Sequence, residues 1–245
     1  MAFLYFEINN KNYTTYEVNG TTVYEIQDFY KYPDKVTEFI SNLKPFFHKT
    51  PLEKYGESIN DRTFIDSSLN GRKFRDMRHT TEVVGMHLVT DFLSELCGQR
   101  TIEPSSDVLL TNYFKMLDPE YNHYKDNYWW PHIDDGFTSI VYLNTFSYPG
   151  TNMYSHKIYD LPREMKKLEE YLWSKTTEHV SPWQPKSDWE LNHTIQAEYN
   201  KLVLFDGYNN AHSMSMDSNI FDHKLRLNQV MFFSAPERFD NEAYK

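Results

Sequence analysis

The residues best suited to chemistry lie in a tryptophan-containing stretch that places His132 and Asp134 two positions apart. In an extended chain, residues i and i+2 point to the same face. The imidazole and the carboxylate would therefore converge on one point, just before the apolar run 139–144. These two groups are two-thirds of a facial 2-His-1-carboxylate site, which suits Fe(II) and leaves coordination positions open. The spacing predicts a metal site that needs a second histidine.

A second histidine and a fixed positive charge follow later in the chain. His212 comes after a strongly apolar segment and the turn Asp206-Gly207, so it can point inward from the edge of a strand. Arg226 opens the last apolar segment. A dicarboxylate co-substrate needs a cation for its distal carboxylate, and arginine binds a carboxylate by two charge-assisted hydrogen bonds. Tyr142 would donate a hydroxyl to the same carboxylate.

These residues together resemble the 2-oxoglutarate/Fe(II)-dependent dioxygenases, and within them the prolyl-4-hydroxylase-like branch. The resemblance covers roughly residues 107–235. The motifs that carry it are His132-x-Asp134, Tyr142-Leu143-Asn144, Gly150-Thr151, Leu202-x-Leu204-Phe205 ahead of His212, and Arg226. The sequence departs from the family pattern in its long gaps between Asp134, His212 and Arg226. It also has one glycine at Gly150, where the family commonly has a pair.

The resemblance implies a set of site residues and an activity. The implied Fe(II) ligands are His132, Asp134 and His212, and the implied 2-oxoglutarate contacts are Arg226, Tyr142 and Tyr113. With O2 as the other co-substrate, the expected activity is hydroxylation of a C–H bond. The substrate would be a peptidyl side chain, an amino acid or a small metabolite. The carboxylate ligand favours hydroxylation over halogenation, because related halogenases lack it.

We expect one mainly β domain with flanking helices over residues 1–245. The N-terminal strands and support helices would occupy 1–106. The resemblance implies a double-stranded β-helix core, of the jelly-roll and cupin-like kind, over 107–235, with an insertion at 155–195. Periodicity predicts helices over 34–43, 80–97 and 161–173, strands over 2–8, 12–25, 107–117, 138–145, 201–205 and 225–233, and possible further strand over 152–159. Turns are expected at 18–21 and 148–151, and irregular chain at 45–77 and 174–194.

Composition and charge exclude several classes of protein. The formal net charge of −10 argues against nucleic acid, which needs a basic surface, and against an anionic membrane. With the single cysteine Cys97, no disulfide forms within the chain, which suits a reducing compartment. The sequence contains no apolar run long enough for a transmembrane helix and no basic signal-peptide start, so we expect a soluble, cytoplasmic protein. The sequence does not predict an oligomeric state.

Several alternatives remain open from the residues alone. Other possible ligands are His123, His156, His193 and His223, and Asp135 is expected on the face opposite Asp134. Arg62, Arg72, Arg75 and Arg78, in or beside the irregular segment 45–77, would be either solvated charges or part of a lid over an acidic substrate. Trp129, Trp130 and Phe137 would be either core or pocket walls. The alternative functions are a non-catalytic binding or structural protein and a cupin-type hydrolase or isomerase, neither of which requires Arg226.

Overall fold

The protein is mainly β, with antiparallel sheets that do not close into a barrel. The computed structural model describes residues 6–42, 76–79, 86–97, 110–114, 126–129, 131–174, 183–215 and 226–234. The strands are β1 (Thr14–Val18), β2 (Thr21–Ile26), β3 (Asp76–His79), β4 (Leu110–Phe114), β5 (Asn127–Trp129), β6 (Gly136–Tyr142), β7 (Tyr148–His156), β8 (Trp183–Pro185), β9 (Trp189–Ala197), β10 (Lys201–Asp206), β11 (Ala211–Met214) and β12 (Arg226–Ser234). The helices are α1 (Pro33–Asn42), α2 (Met86–Leu96) and α3 (Met165–Ser174).

Within the described ranges, the strands form a large sheet, a small sheet and a two-stranded ribbon. The large sheet has the order β1-β2-β10-β6-β12-β4-β3, and the small sheet has the order β11-β7-β9. The ribbon pairs β5 with β8. In the large sheet, β6 lies between β10 and β12, and Tyr142 is directly opposite Asn228. Three strands that carry sequence motifs, β10, β6 and β12, are therefore neighbours in this sheet, while Gly150 and His212 lie in β7 and β11 of the small sheet.

Three apolar clusters hold these layers together. On one face of the large sheet, Val36 of α1 and Leu93 of α2 are fully buried against residues such as Leu204. The opposite face packs on the small sheet through a second cluster that contains Ile140 and Met153. A third cluster covers the outer face of the small sheet and consists of Tyr154, Leu168, Trp189 and Ala211. Successive residues of β6 and β10 alternate between the first two clusters, as the two-residue period of a strand requires.

The predicted elements are largely present. The helices predicted over 34–43 and 161–173 appear as α1 and α3, and the described part of the helix predicted over 80–97 is α2. The turn expected at 18–21 is confirmed, with positive φ angles of 51° at Asn19 and 76° at Gly20, as a tight hairpin with Asn-Gly requires. None of the described helices has the length and hydropathy needed to cross a membrane.

Three sequence predictions are wrong. Of the strand expected over 2–8, the described residues 6–8 form only an isolated bridge from Ile8 to Tyr30. The expected turn at 148–151 is part of the nine-residue strand β7. The expected irregular segment 174–194 contains β8 and the first six residues of β9, so the predicted insertion 155–195 contributes most of a strand of the small sheet. Most of the segment 45–77, with Arg62, Arg72 and Arg75, lies outside the described residues.

Candidate metal centre and adjoining pocket

Three possible metal ligands converge at one end of the space between the two sheets. The ligand atoms of His132, Asp134 and His212 all lie within 4.8 Å of one another. Nε2 of His212 is 3.2 Å from one Asp134 carboxylate oxygen, and Nε2 of His132 is 3.7 Å from the other. This His-Asp-His triad has the donor set and the closeness that a divalent transition metal needs. The structure therefore brings together the three residues that the sequence singled out.

Backbone hydrogen bonds fix the relative position of the three ligands. The amide of each histidine donates to the carbonyl of the other, over 3.0 Å from His132 and 2.8 Å from His212. The amide of Asp134 donates to the carbonyl of Gly207 over 3.0 Å. The Thr138 hydroxyl donates to the Asp134 carboxylate, because Thr138 points to the inner face of β6. The geometry of the triad is thus set by paired chain segments.

The ribbon supports the triad from the side of His132. Gln184 of β8 is buried, and its amide donates to the carbonyl of Pro131 over 3.2 Å. The same side chain accepts a hydrogen bond from the indole of Trp189 over 3.0 Å. Gln184 therefore ties the residue before His132 to the small sheet.

Gly207 is required by the close packing of the triad. A Cβ atom at this position would lie 2.5 Å from the Thr138 hydroxyl oxygen and 3.1 Å from the Asp134 Cβ. In Gly207→Ala, both residues must shift, and we expect metal affinity to fall at least about tenfold while the fold is retained. Metal titration checks this, with circular dichroism as the test of folding. Ser139→Ala, which removes a buried hydroxyl on the other face of β6, is the control and should bind metal normally.

Charge coupling shifts the pKa values of two triad residues in opposite directions. Burial by itself raises the pKa of Asp134, but attraction to His212 and the hydrogen bonds from His212 and Thr138 outweigh burial and bring this pKa well below its usual range. Burial by itself lowers the pKa of His212, but the Asp134 carboxylate raises the net pKa above that of an ordinary histidine. In the metal-free protein, His212 therefore keeps its proton in the pH range where a free histidine begins to lose its own.

Metal binding should consequently release a proton. A metal competes with the proton for the same nitrogen, so affinity should rise with pH until the pH passes the raised pKa of His212. Near pH 6.5, the ordinary pKa of histidine, we expect more than half a proton released from His212 per metal bound. Calorimetric titration in buffers of different ionisation enthalpy measures this number. A metal affinity and heat that do not depend on buffer or pH would contradict this assignment.

A buried arginine lies on the same inner face of the large sheet. Arg226 is only 5% exposed and Asn228, two residues on, is fully buried. The Arg226 guanidinium donates to the Asn228 side-chain oxygen over 2.9 Å and to the carbonyl of Gly150 at 3.5 Å. Among the described residues, Nε of Arg226 and Nδ2 of Asn228 have no hydrogen-bond partner and no carboxylate pairs with Arg226. A buried cation with an unused donor is costly unless an anion binds it.

Three hydroxyl groups adjoin this guanidinium. The Tyr142 hydroxyl lies 2.7 Å from that of Thr151, across the space between the sheets, and Tyr148 hydrogen-bonds to Arg226. Burial raises the pKa of both tyrosines, although Arg226 partly opposes this, so both phenols stay protonated and can donate. We call the set Arg226, Asn228, Tyr142, Tyr148 and Thr151 the anion pocket.

Gly150 makes room for the anion pocket. A Cβ atom on Gly150 would lie 2.8 Å from the Cβ of Ala197 and 3.0 Å from the ring of Tyr142. The missing side chain lets β7 approach Tyr142 closely enough for the hydroxyl contact to Thr151. Gly150 therefore serves packing within a strand, which explains why a turn was wrongly expected there.

Thr151 of the anion pocket and His212 of the triad share one face of the small sheet. His212 is opposite Met153 in the pairing of β11 with β7, and Met214 is opposite Thr151. Two residues along a strand correspond to about 7 Å. Thr151 therefore lies about 7 Å along β7 from Met153, the residue opposite His212.

The structure places the competing histidines elsewhere. His156 is buried against Tyr159 and Trp189 at the outer face of the small sheet, and the ring of His193 contacts Tyr16. Asp135 is exposed, as expected from its opposite face. His123, His223 and Trp130 lie outside the described residues.

Among the other aromatic residues near the motif, Trp129 is partly buried against the cluster between the sheets, and Phe137 against the cluster on the helix side.

The role of Tyr113 in the pocket stays a prediction. Tyr113 lies in β4 and pairs with Leu227, the neighbour of Arg226, but its side chain is outside the described part of the structure. Four residues of the site were not singled out from the sequence: Thr138, Tyr148, Asn228 and Gly207. Two of them carried a readable signal, because Thr138 and Asn228 share a strand face with Tyr142 and Arg226 respectively.

The site stands on its geometry, since no model of a known protein family matches this chain and no curated protein was found similar to it. A proposed function has to account for two observations. One is a His-Asp-His triad with its ligand atoms within 4.8 Å. The other is an arginine buried on the same face without an acidic partner in the described ranges.

Proposed function

We propose that this protein is an Fe(II)- and 2-oxoglutarate-dependent oxygenase that hydroxylates a C–H bond. The observation that carries the proposal is the buried Arg226, whose Nε has no partner among the described residues and whose guanidinium contacts the carbonyl of Gly150, next to Thr151 on the strand that pairs with His212. A metal-binding triad alone also suits a hydrolase, whose metal carries water and needs no anion pocket. A dicarboxylate that chelates the metal at one end and meets Arg226 at the other accounts for both features.

The triad would hold Fe(II), with His132 and His212 as imidazole ligands and Asp134 as the carboxylate. When bound, Fe(II) and 2-oxoglutarate supply an O2-dependent oxidation in which the substrate gains a hydroxyl and 2-oxoglutarate becomes succinate and CO2. Thr138 orients the Asp134 carboxylate by its hydrogen bond. The hydrogen bond of the His212 Nδ1 with the carbonyl of Asn210, at 2.9 Å, leaves Nε2 to face the metal.

The anion pocket would bind the distal carboxylate of 2-oxoglutarate. Arg226 supplies the positive charge, and its free Nε and the free amide of Asn228 are donors for carboxylate oxygens. The hydroxyls of Tyr142 and Thr151 hydrogen-bond to each other, so one of their two protons is left as an additional donor. The apolar cluster around Ile140 excludes water between the sheets, which strengthens these charged contacts.

The proposal includes the finer fold assignment, a double-stranded β-helix of the jelly-roll kind. Two facing antiparallel sheets support this assignment. β6 and β12 are central in one sheet, and β11 and β7 are paired in the other. The ligands lie at one end of the space between them. The substrate would be a peptidyl side chain, an amino acid or a small metabolite, reaching the metal beside His132, whose side chain is 42% exposed.

The deciding experiment is an anaerobic titration of the Fe(II)-loaded protein with 2-oxoglutarate. Chelation of Fe(II) by the 2-oxoacid gives a weak visible charge-transfer band, which we expect to saturate with 2-oxoglutarate. Succinate, which has the distal carboxylate but cannot chelate through a 2-oxo group, is the matched control and should give no band. Iron binding without a band would indicate a cupin-type metal protein of another kind, and absence of iron binding would indicate a structural protein.

A further inference from the structure

The ligand His212 is oriented by a backbone carbonyl. Its Nδ1 lies 2.9 Å from the carbonyl oxygen of Asn210, so the ring donates there and presents Nε2 to Asp134. A histidine that binds a metal depends on such a contact for its tautomer and ring direction. The position of the Asn210 carbonyl therefore decides where Nε2 points.

Every hydrogen-bonding group of the Asn210 side chain is used. Asn210 is fully buried, and its amide donates to the hydroxyl of Thr21 and to the carbonyl of Asp206. Its side-chain oxygen accepts from the amide of Asn19 at 3.2 Å. Two of these three partners belong to the turn between β1 and β2, which is far from Asn210 in the sequence.

The turn itself is fastened to the small sheet. Asn19 donates to the carbonyl of Tyr154 over 3.1 Å and accepts from the amide of Asn192 in β9. The positive φ angles of Asn19 and Gly20 give the tight turn that brings Asn19 and Thr21 to the same point. The turn thus joins the edge of the large sheet to β7 and β9 of the small sheet, whose third strand, β11, carries His212.

We infer that Asn210 is a positioning residue for His212, held in place by Thr21 and Asn19 of the β1–β2 turn. This inference rests on the metal-binding role of the triad proposed above. It assigns to the N-terminal hairpin, which contributes no ligand, control over metal affinity and coordination geometry. Loss of the Thr21 hydroxyl frees the Asn210 amide, the carbonyl of Asn210 moves, and Nε2 of His212 turns away from Asp134.

Co(II) is the probe, because its visible spectrum reports coordination geometry without any turnover. Asn210→Ala removes all three side-chain contacts, and we expect the Co(II) Kd to rise about 10- to 100-fold. Thr21→Val, which keeps the shape and removes the hydroxyl, should raise the Kd about tenfold with shifted absorption bands. Thr21→Ser keeps the hydroxyl and should restore wild-type affinity and spectrum.

The neighbouring Thr22→Val is the matched control. Among the described residues, the Thr22 hydroxyl bonds to Glu17 alone, within the hairpin and over 2.7 Å, so its removal should leave the Co(II) Kd and bands unchanged. Wild-type affinity and spectrum in both Thr21→Val and Asn210→Ala would overturn the inference and leave the proposed function standing. If Asn210→Ala does not fold, the Co(II) Kd and spectrum of Thr21→Val alone decide whether the inference holds. Failure of the wild-type protein to bind Co(II) would overturn the metal site and this inference together.

Discussion

Asp134→Ala should abolish metal binding and 2-oxoglutarate-dependent oxidation. Asp134 is the triad's only carboxylate, it faces both histidine Nε2 atoms, and the hydroxyl of Thr138 is aimed at it. Replacing a residue that only supports a ligand costs 10- to 100-fold in affinity, so removing a ligand should cost at least about 100-fold. Co(II) or Fe(II) titration and succinate formation measure the loss.

Asp135→Ala is the matched control for this experiment. Asp135 is adjacent, equally acidic and exposed, and it should keep wild-type metal affinity. The pair of variants separates a specific ligand from a general effect of negative charge near the site. Tight metal binding in Asp134→Ala would show that the triad is not the metal centre.

Arg226→Met should impair 2-oxoglutarate binding and spare metal binding. Truncating one partner of a buried, hydrogen-bonded charge pair costs about 2–5 kcal/mol. The lower value corresponds to about a 30-fold rise in the Kd for 2-oxoglutarate. The charge-transfer titration gives this Kd, and Co(II) titration tests the triad separately. Arg163→Met removes an arginine that is 83% exposed, and should leave both measurements unchanged.

The stability of the metal-free protein adds a distinct readout for Arg226. The guanidinium has no acidic partner among the described residues, so its replacement by an apolar side chain should leave the melting temperature unchanged or raise it. If Arg226 mainly stabilised the fold, its replacement would lower the melting temperature. A lower melting temperature with unchanged 2-oxoglutarate affinity would assign Arg226 to the fold.

The sequence singled out the three triad residues because their signals are local. His132 and Asp134 are two residues apart, and strand geometry alone puts them on one face. His212 and Arg226 were found because each stands at the boundary of an apolar segment. The strand pairing that brings these segments together joins residues that are far apart in the sequence, such as Tyr142 and Asn228. Such a pairing could be expected only from the resemblance.

The wrong predictions came from residues whose role depends on distant neighbours. Pro149 and Gly150 have the composition of a turn, yet Gly150 is in β7 because the ring of Tyr142 occupies the place of a side chain. Trp189–Ala197 did not look like a strand, because most of its outward residues are polar and exposed. The bond from Asn210 to Thr21 spans 189 residues, and no local pattern encodes it.

The central place of β12 has a consequence for how the protein is made. β12 inserts between β6 and β4, although β6 precedes β12 by many residues in the chain. During synthesis, the apolar edge of β6 therefore stays unpaired until β12 has left the ribosome. Such non-local pairing folds slowly, and an open strand edge invites association with other chains. Nascent chains that stop before Arg226 are expected to depend on chaperones and to form neither the central sheet nor the anion pocket.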